Sequence, residues 1–190
     1  MMDALGLRWL RWRALAMLAL GRPAAALALF ERLLVRCPAD RHAQASRAHL
    51  LAAAGRLAEA EAAYMQLLGD APVDAASWFN LGWVREQRGD DAGAIVAFTR
   101  ATEVDARLDR AWFGLGQALW RQRQLDGAAQ ALERNTALQP MSPHGWVALA
   151  QVHQARGRPD EAKRIVHHLQ GFEPRAAAAL QRSLGPMLAG

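Results

Sequence analysis

Alanine recurs at Ala26, Ala60, Ala94, Ala128 and Ala162, an unbroken spacing of 34 residues. A single globular core has no use for a fixed period of that length. A stack of equivalent repeats requires one, because each repeat buries its apolar face only against its neighbours. Three further phases keep the same spacing. Pro38, Pro72, Pro140 and Pro174 fall on one, with Ala106 at the remaining beat. Trp78, Trp112 and Trp146 fall on a second, and Gly21, Gly55, Gly89 and Gly157 on a third. The period therefore specifies a solenoid.

The segment 75–108 shows what each period contains. It reads W-F-N-L-G-W, then Gly89, then A-I-V-A-F and Ala101. Trp78, Leu81, Gly82 and Arg85 stand at i, i+3, i+4 and i+7 on one helical face, and Ala94, Phe98 and Ala101 repeat the stripe after the break at Gly89-Asp90-Asp91. Small Gly82 and Ala94 allow two backbones to approach, and Trp78 and Phe98 fill the wider space beside them. Asp90 or Asp91 caps the second helix, and the clock prolines stop it. Hydrophobic residues make up 52% of the chain, much of it Ala and Leu, and no β-branched run suits a sheet, so the expected class is all-α.

W-x2-L-G, then A-x3-F, then a proline at this pitch resembles the tetratricopeptide repeat. Five contiguous copies fit without insertion or deletion: 7–40, 41–74, 75–108, 109–142 and 143–176. The third and fourth carry Trp-x2-Leu-Gly, the fifth has Trp146, Leu149 and Ala150, and the first two place Arg13 and Arg47 where Leu is usual. The resemblance implies antiparallel helix pairs in a right-handed superhelix, one solenoid domain over 1–190. Its concave wall, made mainly by the first helix of each pair, would hold a peptide or a partner's helix. The pattern of 175–184, with Leu180 and Leu184 on one side and Gly185-Pro186 as a stop, predicts a capping helix over the last pair.

At the N-terminus Arg8, Arg11 and Arg13 precede the apolar run 14–20, the charge order of a secretory signal. Gly21, Ala26, Phe30, Leu33 and Pro38 keep the repeat phase through this region, so it reads as an amphipathic helix of the array rather than a leader. Arg8, Trp9, Arg11 and Trp12 then form an open end suited to a membrane surface or a partner protein, or else a degenerate capping repeat. No stretch is long and apolar enough to span a bilayer, and the expected compartment is cytoplasmic. The net charge of +5 does not point to nucleic acid. Its excess sits at the two ends, where 1–40 and 143–190 each carry six basic and three acidic residues, and no nucleic-acid-binding motif appears.

No catalytic group, cofactor, metal or small-molecule substrate is expected. His42, His49, His144, His153 and the pair His167-His168 lack the converging ligands that zinc wants, and Cys37 is the one cysteine. There is no phosphate loop or nucleophile elbow. What remains is the stripe beside the core face of each first helix. It holds Phe79, Asn80, Trp83 and Gln87 in the third repeat, and Arg110, Phe113, Gln117, Trp120 and Arg121 in the fourth. His42, Ser46 and His49 flank it on one side, and His144, Val147 and Gln151 on the other. Aromatic side chains and arginine dominate binding energy at interfaces because they bury much area at small entropic cost. Trp83 and Trp120 are open to either role, groove or packing between repeats.

Family members that clamp a C-terminal carboxylate use paired Lys, Asn and Arg along three consecutive first helices. Here Asn80 and Arg110 match, while Ala45 and Gly114 replace two cations and His49 replaces an asparagine, so that subtype is not expected. The expected function is a non-catalytic scaffold or adaptor with a protein or peptide partner, in the manner of a bacterial assembly factor or chaperone. The rival is an accessory subunit of an enzyme or a membrane-associated complex that meets a folded partner through outer faces or the basic N-terminal end.

Overall fold

The computed structural model describes residues 4–70 and 74–185, and among them every regular element is a helix. Pro72 and Pro186, two of the predicted helix stops, lie outside the described residues. The chain forms two compact units, Met1–Gly89 and Asp90–Gly190. The first holds α1 (Ala4–Ala19), α2 (Pro23–Arg36), α3 (Arg41–Ala53), α4 (Leu57–Asp70) and α5 (Ala75–Gln87). The second holds α6 (Asp91–Val104), α7 (Asp109–Arg121), α8 (Leu125–Leu138), α9 (Pro143–Ala155), α10 (Pro159–Gln170) and α11 (Pro174–Leu184). The helices alternate as the five repeats require, and α11 is the predicted cap.

Within each unit a helix packs on the one before and the one after it in sequence. The first helices of neighbouring repeats also touch, α3 on α5 in the first unit and α7 on α9 in the second. All five clock alanines are fully buried. Their role is plain in the hairpin of α7 and α8. A Cβ added to Gly116 would lie 2.6 Å from Leu132 Cγ and 3.4 Å from the Ala128 carbonyl oxygen, so the backbones meet where both residues are small. Between repeats the pairing inverts. Phe98 on α6 lies under Gly114 on α7, and a Cβ there would come 2.8 Å from its ring.

The turns repeat as closely as the core. Gly21, Gly55, Gly89 and Gly157 adopt φ between 66° and 78°. At three of these turns the next amide closes a six-to-one bond onto the preceding helix: Arg22 N–H to Met17 O at 2.8 Å, Arg56 to Leu51 and Arg158 to His153 both at 2.9 Å. This is the Schellman ending, in which a left-handed residue satisfies the last carbonyls of a helix. In the fourth repeat the glycine beat falls on Arg123, which takes φ 61° and still forms the bond from Gln124 N–H to Leu119 O at 2.9 Å. Sequence alone shows a missing glycine there; the geometry shows that the turn is kept with a strained residue.

Side-chain caps and latches secure several of the helix starts and loops. Asp40, Asp74 and Asp90 accept from the amides of Ala43, Ala76 and Gly93, which settles the choice at the second helix of the third repeat for Asp90. The tryptophan phase has a polar purpose as well. Trp112 Nε1 donates to the carbonyl of Ala106 at 2.9 Å and Trp146 Nε1 to that of Pro140 at 2.8 Å, both on the proline phase. In the second repeat Gln44 stands on the tryptophan beat and donates from Nε2 to the Pro38 carbonyl at 2.8 Å. Glu61 on α4 holds Arg85 of α5 at 2.9 Å and also pairs with Arg88.

Two measurements of unfolding stability check this account. Ala128→Leu inserts a branched side chain where α7 and α8 meet and should lower stability by about 1–3 kcal/mol. Arg123→Gly relieves a left-handed non-glycine residue and should raise stability by about 0.5–1 kcal/mol in denaturant titration.

Candidate functional site

Four of the nominated residues converge in the first unit. His49 from α3 and Phe79, Asn80 and Trp83 from α5 line one hollow of about 350 Å³, together with Ala52, Ala53 and Tyr64. The hollow exists because of side-chain size: two alanines at the end of α3 leave space that Phe79 and Trp83 only partly cover. Trp83 remains 39% exposed, a large indole at the rim rather than in the core.

The floor of this hollow is Tyr64. It stands on the A-x3-F phase, where Phe30 and Phe98 occupy the equivalent core positions, and its ring is correspondingly buried, 1% exposed. Its hydroxyl lies near the Asn80 side chain but makes no hydrogen bond of ordinary geometry. Burial pushes the phenol up to about 12, opposed by the neighbouring Asn80 amide. A buried hydroxyl without a partner costs free energy, and here it faces a space large enough for a partner atom to enter. The phase pattern alone reads Tyr64 as core. The overlooked signal is that the chain's one tyrosine carries a polar atom into a position elsewhere held by phenylalanine.

The second unit brings others together less deeply. Arg110 and Phe113 of α7 and His144 of α9 line a depression of about 260 Å³ with Asn135, whose Nδ2 donates to the Asp109 carbonyl at 2.9 Å. Arg110 and His144 are exposed at its edge. Gln117 and Trp120 follow on α7 and are half-buried. Arg121, at the end of the same helix, gives its Nε to Asp91 at 2.7 Å, so its cation is already engaged. The clamp position at Gly114 holds no side chain because Phe98 occupies the space.

Three of the remaining four histidines have packing roles, and His167 is exposed. His42 meets the Phe30 ring edge-on at 6.2 Å, and His168 lies between Trp146 and Phe172 at 4.5 and 5.3 Å. His153 is buried in α9, and burial, reinforced by the charge of Arg156, lowers its pKa. Among the described residues no group of three or more His, Cys, Asp or Glu side chains is arranged to hold a metal ion, and no helix is long and apolar enough to cross a membrane.

The sequence profile of the tetratricopeptide repeat matches residues 2–41, 46–107, 97–143 and 113–163. No curated protein matches the chain in sequence. Among solved structures, a crystal structure of MamA protein superposes with a TM-score of 0.83 at 16% identity, over 90% of this chain and 94% of that one. MamA 41-end from Desulfovibrio magneticus RS-1 gives 0.78 at 19% identity, over 93% and 96%. YrrB, described as a TPR protein with an unusual peptide-binding site, gives 0.80 at 16% identity, over 91% and 90%. At these identities the likeness is one of fold.

If the Tyr64 hydroxyl is unpaired in the free protein, removing it relieves a cost. Tyr64→Phe should therefore unfold at the same denaturant concentration as the parent or higher, with a gain of up to about 1 kcal/mol.

Proposed function

We propose that this chain, which belongs to the tetratricopeptide repeat family, is a non-catalytic scaffold that binds a peptide or helix of a partner protein along the exposed stripe of its first helices. The reading takes the five repeats as one array, as their unbroken pitch implies. The observation that carries it is the hollow of the first unit, where a rim tryptophan, an amide and an unpaired buried hydroxyl meet around alanines. An apolar side chain of the partner fills the space above Ala52 and Ala53 and stacks on Trp83. A backbone or side-chain carbonyl beside it accepts from the Tyr64 hydroxyl. The combination of apolar volume and one inward polar group is what fixes a residue's identity and orientation in a pocket. The peptide-binding site attributed to YrrB makes the same use of this fold a natural expectation.

In the second unit the Arg110 guanidinium gives the depression there a positive edge, so an acidic residue in the partner would gain from it. The role of an assembly factor or chaperone for bacterial machinery accords with such a scaffold. The rival reading, an accessory subunit that meets a folded partner through the N-terminal end, draws on the exposure of Trp9 and Trp12.

Peptides selected against the full chain from a random display library supply the test. Trp83→Ala should weaken the selected peptides about 30-fold, the 2 kcal/mol of a hot spot, in calorimetric titration with helicity unchanged by circular dichroism. Selected peptides that bind parent and Trp83→Ala with equal affinity would remove the hollow from the binding surface.

A further inference from the structure

The face of α1 that points away from α2 differs from the equivalent face of every later first helix. At the third position of those helices stand Ala43, Ser77, Ala111 and Gly145, all buried. They are small because the preceding second helix lies close; a Cβ on Gly145 would come 2.2 Å from Asn135 Oδ1 on α8. The first repeat has Trp9 at this position, 59% exposed, and Trp12 beside it, 68% exposed. Leu5 and Leu20 extend the same stripe and are also exposed, while Leu10 and Ala14 on the opposite side are buried. Neither tryptophan keeps the tryptophan phase, whose beat in this repeat falls on Leu10. Helix packing inside the array therefore explains neither one.

Size also selects among possible covers. An indole where Ala, Ser or Gly is otherwise needed blocks another helix from approaching as closely as the later repeats approach one another. A second copy of this chain stacked in the repeat geometry does not fit. What does fit is a soft, deformable surface that accepts bulky aromatic rings at its boundary. Charge points the same way. Residues 4–22 carry four arginines and no carboxylate. Arg11 is taken by Asp40, whose own carboxyl is held below its usual value: burial alone would raise it, and the bonds from Arg11 and the Ala43 amide outweigh that. Arg8 and Arg22 are exposed beside the stripe, and Arg13 stacks on the Trp9 ring at 4.5 Å, keeping the cation and the indole together.

We propose that α1 seats the protein on an anionic membrane surface, with Trp9, Trp12, Leu5 and Leu20 at the boundary between headgroups and acyl chains and Arg8, Arg13 and Arg22 on lipid phosphates. Tryptophan is favoured at that boundary because its body is apolar and its N–H polar, and arginine because its stem can lie along the acyl region while its head stays wet. The helix lies on the surface and does not span it.

Co-sedimentation of the full chain with vesicles tests this. The parent should pellet with vesicles of phosphatidylcholine and phosphatidylglycerol in equal parts, at least about tenfold more strongly than with phosphatidylcholine alone, and should be released by raised salt. The double variants W9S/W12S and R8E/R13E should each lose about tenfold or more of that partition while Trp83→Ala keeps it, since all four residues of the double variants are exposed and their loss leaves the fold intact. Failure of the parent to pellet with the anionic vesicles, or equal partition by W9S/W12S, would overturn the proposal. So would a concentration-dependent dimer in sedimentation velocity that W9S/W12S abolishes, because a second copy would then be the cover.

Discussion

Close approach of helix backbones at small residues is the constraint on which the rest of this protein rests. Helices this rich in alanine have little side-chain volume to bury, so they gain stability only when their backbones come near enough for the few large residues beside the contact to interlock. Gly116 against Ala128 and Leu132 shows the approach within a hairpin, and Gly114 over Phe98 shows it between hairpins. Once those contacts are fixed, the remaining features follow. The turn between the two helices of a repeat must reverse the chain in three residues, which calls for a left-handed residue at each such turn. The stripe beside the core face of each first helix carries less of the packing.

That division explains what could be read from the sequence and what could not. The buried phases were legible because packing imposes the same residue size at every repeat. The five alanines and the glycine turns follow from spacing alone, and the capping helix read over 175–184 follows from its own leucine pattern, the observed helix starting one residue earlier at Pro174. Substitutions that keep a function while changing the residue were less visible. Gln44 takes the place of a tryptophan because the shared requirement is an N–H for the proline-phase carbonyl and not an aromatic ring. Arg123 holds a glycine's backbone angle because its neighbours in the turn over-determine it. Tyr64 was hidden by its agreement with the pattern, since the ring obeys the core phase and only the hydroxyl departs from it. Arg121 reads from the sequence as a groove cation, and its engagement with Asp91 is a tertiary fact that no periodicity encodes.

Polar groups in this fold do three separable jobs. Asp40, Asp74 and Asp90 close helix starts, Glu61 joins one helix to the next, and the indole and amide donors fasten the loops between repeats. Each of these is satisfied inside its own unit. The hydroxyl of Tyr64 is not, and it sits where exposed tryptophan and alanine-lined space also lie. Gln44 Oε1, Arg47 Nε, His153 Nδ1 and Gln154 Oε1 are also buried without a partner, but of these groups only the Tyr64 hydroxyl lines the hollow that Trp83 rims.

The loop fastening has a consequence for how arrays of this kind change over generations. The bond from Trp146 to the Pro140 carbonyl, like that from Trp112 to Ala106 and from Gln44 to Pro38, closes within six residues of chain. Each joins the end of one repeat to the start of the next across the same short step. Copying or excising a whole period therefore sets the next donor beside an equivalent carbonyl and keeps this fastening, whereas pairs such as Glu61 with Arg85 depend on which repeats are neighbours.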